Sequence, residues 1–277
     1  MKEKIKNILK YLGIYYSLQR SYRGAIEFSK KQYYKTTYLK YRGKGYVCNF
    51  CGAMYRKFVA SYPSPEIANA LNSNNVIAGP GENVYCPNCM SKNRERLVKA
   101  VIENRLNVRD KHILHFSPEK NLYRYLKEIA KVKTVDISPR FYKNIDNNIS
   151  YADATSLQFS DSSFDVIIAN HILEHIPDDN AAMKEMYRVL NMGGLAILQV
   201  PYSETLPDTI EDPYIDDPAK QAKLYGQKDH VRIYSLNRYI GRLENAGFSV
   251  RVLTPEELIP FRVHAIQENE SVIIGYK

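Results

Sequence analysis

The four cysteines of this chain form two Cys-x-x-Cys pairs, Cys48 with Cys51 and Cys86 with Cys89. Two residues between thiolates allow a tight turn that directs both sulfur atoms at one ion, and two such turns complete a tetrahedral site for Zn²⁺. Four thiolates leave no open coordination position, so we expect a structural metal ion in a zinc-ribbon-like module. Iron is the alternative metal. The intervening segment is rich in Pro, Asn, Ser and Gly, which predicts that it includes a loop.

A second group of candidate residues follows short apolar segments that read as strands. This group comprises His115, Phe116, Glu119, Asp136, Ile137, Asp153, Ala154, Asn170 and His171. A carboxylate at the end of a second strand is the usual acceptor for the two hydroxyls of a ribose, which is the role predicted for Asp136. Asp153 is placed to accept from an exocyclic amine such as that of adenine. Taken singly, each aspartate is also explained as a loop or helix cap.

The elements that must position these residues alternate between helices and short apolar strands from residue 92 onward. The predicted strands are HILHF, VKTVDI, ISYAD, FDVIIAN, GLAILQVP, FSVRVL and SVIIGYK. This alternation predicts an α/β fold, with a Rossmann-like, seven-stranded and mostly parallel sheet that is covered by helices on both faces. Ligands of such sheets bind beyond the carboxyl ends of the strands, where the strand order reverses.

Residues 159–201, FSDSSFDVIIANHILEHIPDDNAAMKEMYRVLNMGGLAILQVP, resemble the second half of class I S-adenosylmethionine-dependent methyltransferases of the methyltransferase type 11-like branch. The likeness runs from about residue 92 to residue 277. YGQKDHVRIYS and EDPYIDDPAKQAKLYG are similar to a branch in which Cys-x-x-Cys pairs precede the methyltransferase domain. The resemblance implies a seven-stranded sheet, an S-adenosylmethionine site and methyl transfer.

The first turn departs from the family pattern, in which an acidic residue is followed by Gly-x-Gly-x-Gly. Here the register reads HFSPE, residues 115–119. We expect Ser117 to cap the next helix and Pro118 to occupy its first position. Glu119 would then meet the positive end of the helix dipole, and Glu119 or His115 would contact the methionine end of the cofactor. Because of this departure, a non-catalytic binding module of the same fold remains an alternative.

Histidine is the natural proton acceptor for methyl transfer to a hydroxyl group. We predict His230 as the base, with Asp229 beside it and Glu174 in the turn after the fourth strand. Arg232 is predicted as a clamp for an acidic or sugar substrate. Tyr202 is predicted as a second substrate contact.

Residues 202–226 form an acidic, tyrosine-containing insertion that is predicted to cover the acceptor site. Such a lid suits a hydroxylated small molecule or a glycan better than a phosphate backbone. The absence of a [DN]PP[YF] stretch argues, by the resemblance, against methylation of base amines. We therefore predict O-methylation of a sugar or related metabolite, within polysaccharide biosynthesis. An RNA methyltransferase that uses the zinc module and a basic arm is the alternative.

The charge is unevenly distributed, since residues 1–45 hold twelve Lys/Arg and two Asp/Glu, whereas the whole chain has a net charge of +9. We divide the chain into a basic, Tyr-rich arm (1–45), a zinc-ribbon-like module (46–91) and a methyltransferase domain (92–277). The arm can contact a membrane surface or an acidic partner, with nucleic acid less favoured, or pack its tyrosines on the body. Without a long apolar run or a secretory leader pattern, a cytoplasmic protein is expected, with peripheral contact to the inner face of a membrane as an option.

Overall fold

The computed structural model describes residues 14–277. It begins with a long helix, α1 (Tyr15–Thr37), which has no buried residue. The ring of Tyr16 packs edge-on against Phe141 with 5.4 Å between centroids, and Glu27 pairs with Lys120 over 2.7 Å. The described part of the predicted basic arm therefore contacts the body of the protein, and residues 1–13 of that arm lie outside the described residues.

The cysteine region consists of two short antiparallel hairpins with a helix between the strands of the second. Its elements are β1 (Arg42–Val47), β2 (Met54–Tyr55), β3 (Val59–Ser61), α2 (Pro65–Ser73) and β4 (Gly81–Tyr85). The segment between the cysteine pairs therefore contains three strands and a helix besides the loop that its composition predicted. Helix α2 follows Ser64 and has Pro65 and Glu66 in its first turn, where these residue types are favoured.

The remaining chain alternates between helices and strands. Its elements are α3 (Asn93–Arg105), β5 (His112–Phe116), α4 (Lys120–Ile129), β6 (Lys131–Asp136), β7 (Ser150–Tyr151), β8 (Phe164–Ile168), α5 (Asp179–Val189), β9 (Leu190–Ile197), β10 (Tyr202–Ser203), β11 (Ile210–Glu211), α6 (Pro218–Tyr225), β12 (Arg232–Ser235), α7 (Leu236–Asn245), β13 (Ser249–Leu253) and β14 (Val272–Tyr276).

The main sheet has seven strands in the order β13-β14-β9-β8-β5-β6-β7. Strand β14 is antiparallel to both neighbours, and the other neighbouring pairs are parallel. All seven strands predicted from the sequence are present, and the predicted fold class is confirmed. The strand order reverses at β5, which lies between β6 and β8, so a ligand crevice is expected beside the end of β5.

Alternate residues of the central strands enter two separate cores, one on each face of the sheet. Ile113 packs in one core with Leu122 of α4, whereas Leu114 packs in the other with Met183 of α5. This two-residue period is what a strand buried on both faces requires. Helices α3 and α4 cover one face and α5 and α7 cover the other, as predicted.

The predicted lid segment forms structure of its own. Strand β12 pairs in parallel with β10 and antiparallel with β11, which makes a three-stranded sheet that the sequence analysis did not anticipate. Across residues 14–277, none of the helices combines the length and the apolar character needed to cross a membrane.

Candidate active site

A large cavity lies at the edge of the main sheet where the parallel strands end. It has a volume of about 970 Å³ and is lined by residues that follow β5, β6, β7 and β8. With the exception of His115 and Glu119, every residue predicted to bind the cofactor lines this cavity. The predicted catalytic residues Glu174, Asp229 and His230 line it as well. The fold therefore brings most of the predicted site residues to one place.

The turn after β5 holds a serine in the left-handed backbone region. Ser117 has a φ of 42°, a conformation that costs serine more than glycine. Its Oγ donates to Asp136 Oδ2 over 2.5 Å, and its backbone N–H donates to Val135 O. These bonds tie the end of β5 to the end of β6. The expectation that Ser117 caps α4 is wrong, because its hydroxyl is bound to the neighbouring strand and Glu119 occupies the N-cap position, with Pro118 before it.

The carboxylate of Asp136 lines the cavity and keeps capacity for further hydrogen bonds. Its Oδ2 accepts from Ser117, and its Oδ1 accepts from the N–H of Ser138 over 2.6 Å. Each carboxylate oxygen offers about two lone-pair sites, so each oxygen can accept one more hydrogen bond. Asp153 lines the same cavity, and its Oδ1 accepts from the N–H of Thr155 over 2.9 Å. The two aspartates thus present acceptors to one cavity.

Glu119 orients two groups that line the cavity. Asn170 Nδ2 donates to Glu119 Oε1 over 2.7 Å, and Arg94 Nε lies 3.5 Å from the same oxygen. His115 Nε2 lies 3.3 Å from Oε2. Burial acts to raise the pKa of Glu119, but the hydrogen bond with His115 and the charge of Arg94 bring that pKa below its ordinary value. His115 and Glu119 do not line the cavity, which corrects the expectation that either contacts the methionine end of a cofactor.

Two cations that the sequence analysis did not single out line the cavity beside this network. Lys92 is the N-cap residue of α3, and Arg94 lies in its first turn. Arg94 Nε and Asn170 Oδ1 are both buried without a hydrogen-bond partner among residues 14–277. Cations at a helix N-terminus are disfavoured by the helix dipole, so their placement favours a bound anion. The basic run SKNRER, residues 91–96, is the signal that could have identified them.

Three histidines surround one buried carboxylate at the cavity. Glu174 lies in the 3₁₀ turn Leu173–His175 after β8, and only 1% of its surface is exposed. Its Oε1 lies 3.3 Å from His171 Nδ1 and 3.9 Å from His230 Nε2. His175 Nε2 lies 4.0 Å from the same oxygen. The rings of His175 and His230 pack edge-on with 4.7 Å between centroids.

Burial and mutual interaction determine the charges in this cluster. Burial lowers the pKa of His230 to about 4, although the carboxylate of Glu174 opposes that shift. Burial acts to raise the pKa of Glu174, but the three histidines bring it to about 2. At neutral pH the cluster therefore contains an ionised carboxylate beside the neutral imidazole of His230.

Arg232 does not line the cavity and is only 2% exposed. Its Nε donates to Glu211 Oε2 over 2.9 Å, and its other nitrogens donate to the carbonyl oxygens of Leu173, Ile176 and Pro177. Arg232 therefore braces the turn that follows β8. The expectation that it holds a substrate is corrected, because all three of its nitrogens are engaged inside the protein.

Tyr202 is also placed away from the cavity. It is fully buried, and its hydroxyl oxygen accepts from the N–H of Ser271 over 2.8 Å. Its backbone pairs with Ile77 in an isolated antiparallel bridge. Tyr202 thus connects β10 with the segment between the cysteine pairs, and the expectation of a substrate contact is corrected.

Glu270 is a cavity residue that the sequence analysis missed. Strand β14 (Val272–Tyr276) is antiparallel to its neighbours, so the residues that precede it lie at the edge where the parallel strands end. Glu270 is 1% exposed and accepts from Gln199 Nε2 over 3.1 Å. Burial raises its pKa to about 7, while Gln199 and the charge of Arg94 act in the opposite direction. The acidic ENES run before the last strand is the only trace of it in the sequence.

The segment between the cysteine pairs forms part of the cavity wall, where α2 packs against α6. Leu71 of α2 and Gly226 at the end of α6 both line the cavity. Gly226 has a φ of 79°, and a methyl group added to it would lie 2.5 Å from Leu71 Cδ2. The predicted lid, residues 202–226, reaches the cavity only through Tyr225 and Gly226. The wall therefore comes from two distant parts of the chain.

The four cysteine sulfur atoms lie within 4.8 Å of one another. The Sγ atoms of Cys48 and Cys89 are 3.5 Å apart, and those of Cys51 and Cys86 are 3.8 Å apart. Tetrahedral Zn–S bonds of about 2.3 Å place sulfur atoms roughly 3.8 Å apart. The donor set and its spacing therefore fit a tetrahedral zinc ion.

The two cysteine turns make matching backbone hydrogen bonds. Cys48 O accepts from Gly52 N and Cys86 O accepts from Met90 N, four residues further on in each case. In both turns the N–H of the first cysteine donates to the carbonyl five residues further on. Gly52 and Met90 share a left-handed conformation, with φ of 67° and 63°. Both turns thus have the same local geometry.

Arg96 connects the cysteine region to the C-terminal part of the chain. Its guanidinium is fully buried and donates to five carbonyl oxygens, those of Asn83, Val84, Ser91, His264 and Ala265. Burial lowers the pKa of Arg96, and the cysteine cluster is the main group that opposes this shift. A buried cation therefore lies near the thiol groups of Cys48, Cys86 and Cys89.

Comparison with known proteins locates a family match inside this fold. Residues 115–198 match the family model described as a methyltransferase domain. A demethylmenaquinone methyltransferase from Staphylococcus epidermidis is 36% identical over 80 residues, which are 29% of this chain and 30% of that protein. The protein YafE from Escherichia coli is 29% identical over 119 residues, which are 43% of this chain and 54% of YafE. The chain thus covers less than two thirds of the length of either relative.

Among solved structures, a chain from the complex between the Haloferax volcanii Trm112 methyltransferase activator and a putative methyltransferase aligns with a TM-score of 0.49. The identity is 14%, and the alignment covers 66% of this chain and 89% of that chain. The family match agrees with the class predicted from the sequence, because residues 115–198 are similar to a methyltransferase domain.

Proposed function

We propose that this protein transfers a methyl group from S-adenosylmethionine to a hydroxyl oxygen of a sugar, a glycan or a related small molecule. The observation that carries the proposal is the position of Asp136, which ends the second strand of the main sheet and lines the cavity with Asp153. The volume of about 970 Å³ is at the upper end for small-molecule sites, which leaves room for a cofactor and an acceptor.

Four side chains are proposed to hold the cofactor. Asp136 accepts from the two ribose hydroxyls, and Asp153 accepts from the adenine amine. The buried Asn170 Oδ1, which has no hydrogen-bond partner among the described residues, accepts from the ammonium group of the methionine end. Arg94 and the positive end of the α3 helix dipole attract the carboxylate of the same methionine end. Side chains thus take over contacts that a glycine-rich turn makes with its backbone.

When bound, S-adenosylmethionine supplies an electrophilic methyl group on a sulfonium ion. The chain has to align an acceptor oxygen with it, exclude water and take up a proton. His230 remains the proposed proton acceptor, since its imidazole is neutral at pH 7 and the Glu174 carboxylate, 3.9 Å from its Nε2, favours the protonated ring. Helices α2 and α6, which contribute Leu71 and Tyr225 to the cavity wall, are proposed to help exclude water.

The acceptor class rests on two lines of support. The Staphylococcus epidermidis relative is named for a small-molecule substrate, demethylmenaquinone, which favours a small acceptor here. The polar cluster of Glu174 with three histidines suits an oxygen acceptor that has to lose a proton.

We also propose that Cys48, Cys51, Cys86 and Cys89 bind one structural Zn²⁺. The sulfur spacing supports this, as does the buried Arg96, whose positive charge balances part of the double negative charge of a zinc ion with four thiolates. Such an ion has no open position, so its role is to hold the two hairpins and the adjoining cavity wall.

Isothermal titration with S-adenosylhomocysteine tests the cofactor site. Asp136→Asn keeps the shape of the side chain but removes its charge, and hydrogen bonds to charged groups contribute roughly 1.5–3 kcal/mol. We expect binding by the wild-type protein and at least a tenfold increase in Kd for Asp136→Asn.

Asp110→Asn is the matched control for this titration. Asp110 is exposed before β5, at the opposite edge of the sheet, and asparagine tolerates its left-handed φ of 61°. Its Kd should equal that of the wild type. Unchanged binding by Asp136→Asn, or no binding by a folded wild-type protein, would refute the proposed cofactor site.

A further inference from the structure

We propose that Glu174, His175 and His230 form a second metal site, which binds a divalent transition-metal ion at the cavity. One ligand atom from each residue lies within 4.8 Å of the other two. Binding of the ion is independent of the proposed methyl transfer, and only the role of the ion in the reaction rests on that proposed function.

The carboxylate of Glu174 is the strongest indication of a missing cation. Both of its oxygens are buried and have no hydrogen-bond partner among residues 14–277, although the side chain is only 1% exposed. His171 Nδ1 is 3.3 Å from Oε1 but does not have the geometry of a hydrogen bond. A buried carboxylate without donors is costly, whereas a bound metal ion would satisfy it.

His175 is already oriented as a metal ligand. Its Nδ1 lies 3.1 Å from the carbonyl oxygen of Asp229 and 3.5 Å from that residue's Oδ2. A proton on Nδ1 donates to these oxygens and leaves the lone pair on Nε2, which is directed toward Glu174. Metal-binding histidines are typically held by such a bond at the other ring nitrogen.

The spacing and chemistry of the ligand atoms indicate the class of ion. Glu174 Oε1 lies 3.9 Å from His230 Nε2 and 4.0 Å from His175 Nε2. Ligand distances of about 2.1 Å allow two ligands to be at most about 4.2 Å apart, so small side-chain rotations would complete the site. Two imidazoles and one carboxylate suit ions such as Zn²⁺ and not Mg²⁺ or Ca²⁺, which prefer oxygen ligands.

Three protein ligands leave positions open toward the cavity, unlike the four cysteines. An acceptor hydroxyl in an open position would be more acidic and would release its proton to bulk solvent before the methyl group is transferred. The oxygen lone pair then forms the new O–CH₃ bond, the S–CH₃ bond breaks, and its electron pair remains on sulfur. In this arrangement His230 binds the ion and does not accept the proton. The ion then activates the acceptor hydroxyl in place of His230.

Calorimetric titration of Zn²⁺ into tag-free full-length protein, supplied beforehand with one molar equivalent of Zn²⁺ so that the four cysteines are loaded, tests this site. We expect an additional binding event in the wild type and at least a tenfold weaker one in Glu174→Gln and in His175→Gln. Both substitutions preserve side-chain size, and circular dichroism checks that the variants fold. His112→Gln changes an exposed residue and Glu257→Gln a partly exposed one, both outside the cavity, and both variants should bind Zn²⁺ as the wild type does.

The result that overturns the inference is a wild-type protein without the additional event, or variants that bind Zn²⁺ as tightly as the wild type. Titration of the same samples with S-adenosylhomocysteine separates the two proposals. Cofactor binding without the second ion refutes only the metal site, whereas ion binding without cofactor binding refutes only the proposed methyltransferase function.

Discussion

Burial of Glu270 at the cavity makes the free energy of unfolding depend on pH. Its pKa is raised from 4.5 to about 7, so between these values the folded state retains a proton that the unfolded state releases. Stability therefore falls as the pH rises through this range and is level above it. At about 1.4 kcal/mol per pH unit, the cost at pH 8 is on the order of 3 kcal/mol.

We predict that Glu270→Gln removes this cost, because glutamine does not ionise and its amide oxygen still accepts from Gln199. The variant should unfold at a higher denaturant concentration than the wild type at pH 8, with a difference that shrinks toward zero near pH 4. Urea unfolding of both proteins across this range measures the effect. An equal difference at both ends of the range would show that the carboxyl group is not titrating as described.

Arg96 is the residue on which the connection between the cysteine region and the main domain depends. We predict that Arg96→Met lowers the free energy of unfolding by more than about 3 kcal/mol, because it leaves five buried carbonyl oxygens without a donor. Arg251→Met is the matched control, since Arg251 is largely exposed and its ion pair among residues 14–277 is with Glu257 near the surface. The control should change stability by less than about 0.5 kcal/mol, and an equally small effect of Arg96→Met would contradict the structure.

Residues at strand ends were predictable from the sequence, whereas the partners of buried charges were not. Asp136 follows a recognisable apolar strand, and its position depends only on that strand and its order in the sheet. Arg232 has a similar local setting, but its ion pair with Glu211 and its carbonyl partners come from a turn and a strand elsewhere in the chain. Charge and spacing alone do not distinguish a substrate clamp from a brace inside the protein.

At the scale of elements, the contact between α2 and α6 is the part of the cavity wall most sensitive to side-chain size. We predict that Gly226→Ala destabilises the protein by about 1–2 kcal/mol, because the left-handed φ disfavours alanine and the new methyl group meets Leu71. The same wall borders the cavity, so binding of S-adenosylhomocysteine should also weaken. Urea unfolding and calorimetry measure the two effects.

Gly241→Ala is the control with the opposite expected sign. Gly241 lies inside α7, where an added methyl group meets nothing within 4 Å. Alanine in a helix interior is favoured over glycine by roughly 0.5–1 kcal/mol, so this variant should gain stability. If both glycine-to-alanine variants changed the free energy of unfolding in the same direction, the packing of α2 on α6 would be contradicted.

Most helices and strands of the main domain were predictable because they carry a periodic apolar pattern. Helix α2 was missed although Ser64, Pro65 and Glu66 form a typical helix start, because the surrounding composition favoured a loop. The sheet of β10, β11 and β12 was missed because its strands have two to four residues, too few for a period to show. Its pairing depends on long-range contacts that the local sequence does not encode.

At the scale of the whole molecule, the cysteine region and the cavity are expected to be coupled. The segment between the cysteine pairs supplies part of the wall, and Arg96 holds that region against the C-terminal part of the chain. We predict that removal of zinc by a chelator lowers the melting temperature and raises the Kd for S-adenosylhomocysteine. Cys51→Ser should have the same effects without a chelator.

Addition of Zn²⁺ after removal of the chelator should restore both properties in the wild type, whereas Cys51→Ser should recover less. Differential scanning calorimetry and titration calorimetry on the same samples follow the two properties. A melting temperature and a Kd that do not respond to zinc would show that the cysteine cluster neither binds the ion nor supports the cavity wall. The domain limits at residues 45 and 91 remain predictions.

The central claim is that carboxylates at the ends of adjacent strands bind the cofactor where the turn lacks glycine. A crystal structure of the full-length protein with S-adenosylhomocysteine tests this most directly. We expect the ribose hydroxyls within hydrogen-bond distance of Asp136 and the adenine amine beside Asp153. Ligand density at another place, or a cavity that stays empty at a saturating ligand concentration, would contradict the claim.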